Sequence, residues 1–165
     1  MPVILARIDD RYIHGQVTVG WSEHLQPDRI LLADNPIAAD LWQSRIYASS
    51  VPPHIEVSIL PVAKAAALLS DDGHRDEKVL LLTGHPEAMA ELVRLGAPVA
   101  EVNVGGLHFS GGRQELLPFV YVDHHDLTAL ERLAEMGVRL VAQQVPGGKA
   151  HELEPDDLAT MKDRF

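Results

Sequence analysis

The sequence predicts an α/β fold: a doubly wound, mostly parallel open sheet of about seven strands with helices on both faces. Three observations carry that expectation. Two hydrophobic periods alternate from end to end, with short strand-like runs giving way to amphipathic helical stretches. Runs such as Val79-Leu80-Leu81-Leu82 are apolar without interruption, as strands covered on both faces must be. Stop and start signals fall between the segments. Pro61 and Pro86 stand where a first-turn proline is tolerated, and Gly96 and Gly137 stand where helices end.

In chain order, a first strand over 3–8 leads through a polar loop to a helix over 15–25. A second strand over 29–33 is followed by a helix over 37–49, and a third over 55–60 by a helix over 62–69. The fourth strand, 78–83, apolar without interruption from Val79 to Leu82, precedes the helix 86–95 that Gly96 closes. A fifth strand covers 99–104, after which 105–118 breaks the rhythm and reads as a long loop or irregular segment. The sixth strand is 119–122, with Asp123 and Asp126 placed to start the helix 126–136, and the seventh is 139–142. The tail, 151–165, is helical from about Glu154-Pro155 and packs on the outside. No repeat, low-complexity tract or linker divides the chain, so residues 1–165 are expected to form a single domain.

Composition narrows the function classes. The 165 residues suffice for one sizeable core, and 46% hydrophobic against 23% charged residues is too apolar for disorder. With 14 basic against 24 acidic side chains the formal charge is −10, a field that repels phosphate backbones and anionic lipid surfaces. Nucleic acid is therefore not an expected partner. The absence of cysteine excludes disulfides, thiolate zinc sites and cysteine nucleophiles. Apolar runs are a few residues long, against the roughly 20 that a membrane-spanning helix needs. Met1-Pro2-Val3 enters the first strand without a charged and apolar leader, so a cytoplasmic protein is expected.

Chemistry in such a sheet collects beyond the carboxyl ends of the strands. The first of these loops, Arg7-Ile8-Asp9-Asp10-Arg11-Tyr12-Ile13-His14-Gly15-Gln16, gathers two carboxylates, two arginines and a histidine before an apolar helix. A neutral imidazole is a nitrogen nucleophile that can take up a phosphoryl group as phosphohistidine. Arg11, three residues before His14, can fold back to clamp the oxygens. Gly15 lets a phosphoryl group approach the amides that open the helix, and Asp9 or Asp10 can hold the other ring nitrogen. Standing beside this is a plain reading, in which the same charges cap a helix and pair with one another.

The run Arg7-Ile8-Asp9-Asp10-Arg11-x-Ile13-His14-Gly15-Gln16-Val17, followed by Trp21, resembles the amino-terminal signature of the IIB components of the mannose/sorbose-type sugar phosphotransferase system. The stretch Glu101-Val102-Asn103-Val104-Gly105-Gly106-Leu107-His108-Phe109 resembles the asparagine–glycine-glycine loop of that family. Asp34-Asn35, Val120-Tyr121-Val122-Asp123 and Gln144-Val145-Pro146 also fall in the expected order. The resemblance implies that His14 is the phosphorylated histidine and Arg11 its phosphate-contacting arginine. It places Gly15 and Gln16 beside the phosphate and Asp9 and Asp10 in support. It further implies a relay from a phosphorylated IIA donor, through His14, to a sugar held by membrane IIC and IID partners. A homodimer fits the family, and no metal or organic cofactor is needed.

The remaining candidates carry paired readings. Asn103, Gly105 and Gly106 either border the His14 site or form a turn of positive φ. His85, after Thr83-Gly84, is a departure from the family pattern and reads either as a loop histidine before Pro86 or as a second polar group in the site, with the loop favoured. His108 lies on the same edge, whereas His24, His54, His74, His124, His125 and His151 are scattered and expected in solvent. Nine histidines notwithstanding, neither HExxH, GxGxxG nor a Walker A pattern occurs. Trp21 and Trp42 are expected in packing, within the core or at an interface. Two other functions use the same residues: a regulatory phosphohistidine acceptor uncoupled from transport, and an interaction module without turnover. A metal-dependent hydrolase is more distant.

Overall fold

A computed structural model describes all residues, Met1–Phe165. Seven strands join in one sheet. In chain order these are β1 (Val3–Asp9), β2 (Arg29–Ala33), β3 (Glu56–Leu60), β4 (Val79–Thr83), β5 (Glu101–Gly106), β8 (Arg139–Ala142) and β9 (His151–Glu152). Their spatial order is β3-β2-β4-β1-β5-β8-β9. Every pairing is parallel except that of β9, which runs antiparallel to β8 at the edge. β1 is therefore central, with Ile8 opposite Thr83 of β4 on one side and Arg7 opposite Asn103 of β5 on the other.

Strand pleating divides the interior into two cores. Leu31 and Leu81 face one side, and Ile30, Leu32, Leu80 and Leu82 face the other, as a side-chain period of two requires. The larger core is covered by α4 (Val62–Leu69), α5 (Pro86–Arg94), α6 (His124–Glu135) and α7 (Pro155–Lys162). The smaller one is closed by Ile13, Val17, Trp21, Ile37, Val51 and Ile55. At about 1.5–3 kcal/mol for each large apolar side chain buried, both layers contribute strongly to folding.

Three differences from the expected elements have local causes. The helix expected over 15–25 is a π-helical turn, Gln16–Trp21, running into a short α1, Ser22–Leu25. The helix expected over 37–49 is two: α2 (Asn35–Ala39) and α3 (Leu41–Ser49). Asp40 breaks it, taking extended backbone and accepting from the Gln43 N–H at 3.1 Å as the cap of α3. The strand expected over 119–122 leaves the main sheet: β7 (Val120–Val122) forms an antiparallel hairpin with β6 (Gln114–Leu117), inside the stretch read as irregular. Its place in the sheet goes to β9, a two-residue strand too short to leave a periodic signature. Trp21 is buried in the smaller core, while Trp42 is 73% exposed on α3.

Candidate active site at the carboxyl end of the central strand

Arg7 and Asp9 lie two residues apart on β1 and so share a face of the sheet. Arg7 is fully buried. Its Nη1 donates to Asn103 Oδ1 at 2.6 Å and to the Gln143 carbonyl at 3.0 Å. Its Nη2 donates to Asp9 Oδ2 and to the Gln144 carbonyl, each at 3.0 Å. The guanidinium also lies 5.4 Å from the ring centre of Trp21, a cation–π contact. A Cβ at Gly105 would overlap that guanidinium, so only glycine lets β5 pass there. Neither Gly105 nor Gly106 has positive φ, and the turn reading of this pair is set aside for close approach.

Beyond Asp9 the chain folds back over the strand end. The Tyr12 N–H donates to the Asp9 carbonyl at 3.0 Å and closes a turn. Arg11 then reaches back, its backbone N–H and Nε donating to Asp9 Oδ1 at 3.0 and 3.2 Å. Its Nη2 donates to Asp9 Oδ2 at 3.2 Å and to Gln16 Oε1 at 2.6 Å. The Arg11 side chain is 34% exposed, and its Nη1 makes no hydrogen bond within the protein. His14 completes the arrangement, with Nε2 2.9 Å from Asp9 Oδ2 and Nδ1 3.4 Å from the Gln16 backbone nitrogen. Gly15 is exposed, with open space where a Cβ would stand.

The electrostatics of this cluster fix its protons. Burial alone would raise the Asp9 pKa, but hydrogen bonds from His14 and Arg11, with the charge of Arg7, hold it well below the usual carboxylate range. An ionised carboxylate only accepts, so Nε2 presents a proton to Asp9, while the Nδ1 lone pair meets only the Gln16 N–H, at 3.4 Å. Two guanidinium groups against one carboxylate leave the immediate site net positive within a chain of charge −10.

Asp10 is turned away from the ring, because successive side chains at a strand end project to opposite sides. It accepts from the His108 N–H at 2.8 Å, from His108 Nδ1, and from Arg113 Nη1 at 3.3 Å. Arg113 donates onward to Asp126 at 3.2 Å, tying the site loop to the start of α6. His85 precedes α5, exposed, with Nε2 3.4 Å from the Tyr12 hydroxyl and no contact with His14. It borders a separate cleft with Asp34, Glu91, Arg94 and Arg132 that no residue of the 9–16 loop lines. His24, His54, His124 and His125 are exposed, while His74 is half-buried on Glu77 and His151 half-buried in β9. No three His, Asp or Glu side chains gather in a metal-binding group.

Sequence reasoning assigned no role to Arg7, Tyr12, Arg113 or the carbonyls of Gln143 and Gln144. Arg7 left a signal: a charge on a central, otherwise apolar strand, two residues before Asp9, has to be paired. Arg113 left none, since its two carboxylate partners lie 103 and 13 residues away.

Comparison with known proteins matches this architecture. The family described as PTS system sorbose subfamily IIB component matches residues 3–163. The sorbose-specific EIIB component of Lacticaseibacillus casei is 35% identical over 140 residues, 85% of either chain. The fructose-specific EIIB component of Bacillus subtilis is 32% identical over 92% of this chain and 93% of that one. In three dimensions, the IIB domain of the sorbose permease from Klebsiella pneumoniae superposes with a TM-score of 0.90 at 31% identity, covering 97% of this chain and 98% of that domain. On a match of this length and a fold of this closeness, the chain belongs to the sorbose subfamily of phosphotransferase-system IIB components, phosphocarriers of sugar uptake that work with IIA and with membrane IIC and IID components.

Proposed function

We propose that His14 Nδ1 is the atom that carries the phosphoryl group. One observation supports this above the rest: Asp9 engages Nε2 at 2.9 Å, which leaves Nδ1 as the basic nitrogen. In the forward step the Nδ1 lone pair attacks the phosphorus of a phosphohistidine on IIA. The donor N–P bond breaks as the new one forms, and the donor imidazole leaves neutral. In the second step a sugar hydroxyl attacks the phosphorus, and the Nδ1–P bond breaks with its electron pair returning to Nδ1. The hydroxyl proton passes to solvent, and the ring keeps its Nε2 proton against Asp9. Transfer of this kind needs alignment and charge neutralisation more than bond-making help from the protein.

Arg11 is the phosphate clamp of this reading, its Nη1 being the donor left over after Asp9 and Gln16 are served. The Gly15 and Gln16 amides receive the oxygens beside Nδ1, while Gln16 Oε1 steers Arg11. Asp9 orients the ring, Asp10 supports the neighbouring loop, Asn103 and Gly105 act through Arg7, and Gly106 lies against Asp9 and Arg11. Residues 1–165 act as one IIB domain in the cytoplasm, docking on the membrane components during transfer. Self-association as a homodimer belongs to the same reading, on the family resemblance, and sedimentation velocity tests it.

The experiment is phosphorylation of the ¹⁵N-histidine-labelled protein by a phosphorylated IIA, followed by long-range ¹H–¹⁵N and ³¹P NMR. Phosphorus on His14 Nδ1 is expected. A phosphoryl group on Nε2, or on another histidine, contradicts the assignment.

A further inference from the structure

Tyr12 lies at the turning point of the site loop and has no role in the relay as described. Its backbone has φ of 61°, in the left-handed region that bulky side chains avoid. Strain of this kind persists only where surrounding contacts over-determine it, and here they come from three elements. The ring sits in a notch at the end of β4: a Cβ on Gly84 would fall 2.7 Å from Tyr12 Cζ and closer still to Cε1. Tyr47 of α3 packs on it at 5.6 Å between ring centres, tilted by 58°. His85, at the start of α5, stands edge-on at 6.3 Å. On the chain side, the Tyr12 N–H closes the turn on the Asp9 carbonyl, and the next side chain, Ile13, is buried in the smaller core.

We infer that Tyr12 is a positioning residue for phosphoryl transfer: its ring, seated in the notch that Gly84 leaves open, holds the left-handed turn that brings Arg11 and His14 together on Asp9. The reaction atoms never touch it. With the ring seated, the residue before the turn points its guanidinium back at Asp9, and the residue two beyond it presents Nε2 to the same carboxylate. Released from the notch, the chain at position 12 returns to ordinary backbone angles, and the histidine loses its fixed relation to Asp9. Gly84 and Tyr12 thus form a complementary pair, and the hydroxyl is incidental to it. The inference rests on His14 being the phosphoacceptor.

The test uses the full chain with phosphorylated IIA and three variants. Tyr12→Gly removes the ring and lets position 12 sample both signs of φ, so the turn is permitted but nothing holds it. Gly84→Ala fills the notch, and Tyr12→Phe keeps the ring without the hydroxyl. Tyr12→Gly and Gly84→Ala are expected to lower the transfer rate at saturating donor by about 100-fold, with KM for the donor nearly unchanged. Tyr12→Phe is expected to restore most of that loss. Imidazole ¹⁵N shifts give a second readout that needs no donor: His14 is held in the Nε2–H tautomer in the wild type and in Tyr12→Phe, and is a tautomer mixture in Tyr12→Gly. Wild-type rates and an unchanged His14 spectrum in folded Tyr12→Gly would overturn the inference. So would a loss in Tyr12→Phe as large as in Tyr12→Gly, which would assign the effect to the hydroxyl. If Gly84→Ala does not fold, Tyr12→Gly decides alone. A wild-type protein that takes no label on His14 sinks the phosphoacceptor reading instead, and the tautomer readout still judges the notch.

Discussion

Five hydrogen bonds converge on the Asp9 carboxylate: one from Arg7, three from Arg11 and one from His14. Replacing it by Asn leaves the buried Arg7 cation without its counter-charge. Loss of one partner from a buried pair costs about 3–5 kcal/mol, which urea unfolding of Asp9→Asn measures. The sign of the pH dependence follows from the lowered pKa. Stability contributed by Asp9 is complete above the unfolded carboxylate value, near 4, and is lost only as pH falls through the depressed folded value. Unfolding free energy of the wild type minus that of Asp9→Asn is therefore expected to be flat from pH 8 to about 5 and to shrink in stronger acid. Arg11 answers a different question. It is one-third exposed and shares its guanidinium between Asp9 and Gln16, so Arg11→Ala is expected to fold. Its transfer rate falls by about 10²–10³, the size of one lost charge-stabilising donor, and a normal rate in the folded variant would remove it from the clamp. His14, Arg11 and Asp9 could be picked out in the sequence because they crowd ten residues. Which carboxylate holds the ring could not, since that depends on the side of the strand end to which each points.

At the scale of elements, the meeting of β1 and β5 decides whether the site forms at all. Arg7 crosses from β1 to Asn103 on β5 and to the carbonyls after β8, and it does so through the space above Gly105. Gly105→Ala puts a methyl where the guanidinium lies. Overpacking of a core costs about 1–3 kcal/mol, to be read as a lower urea midpoint, with loss of transfer as Arg7 is displaced from Asp9. A variant as stable as the wild type would show that the strands can separate there without penalty. Most elements were legible because the parallel sheet forces apolar strands and helix-stop glycines into the sequence, as at 79–82 and Gly137. The misreadings share one cause: the deciding interaction is not periodic. Asp40 splits α2 from α3 through a cap, β7 leaves the sheet by pairing with β6, and β9 exists only because β8 is there to receive it.

For the whole molecule, the sheet order sets the function. β1 lies between β4 and β5, so its carboxyl end is flanked by Gly84 and His85 on one side and Gly105 and Gly106 on the other. The tether on Nε2, the local positive charge and the turn through Tyr12 all exist only because these strand ends meet. The most direct measurement of the central claim is phosphotransfer. Purified protein is incubated with phosphoenolpyruvate, the general phosphotransferase proteins and a related IIA, and acid-labile phosphate is mapped by mass spectrometry in wild type and in His14→Ala. The account predicts one phosphoryl group on His14 and none in the variant. Equal labelling of a folded His14→Ala, or an unlabelled wild type beside IIA donors known to be phosphorylated, would contradict it.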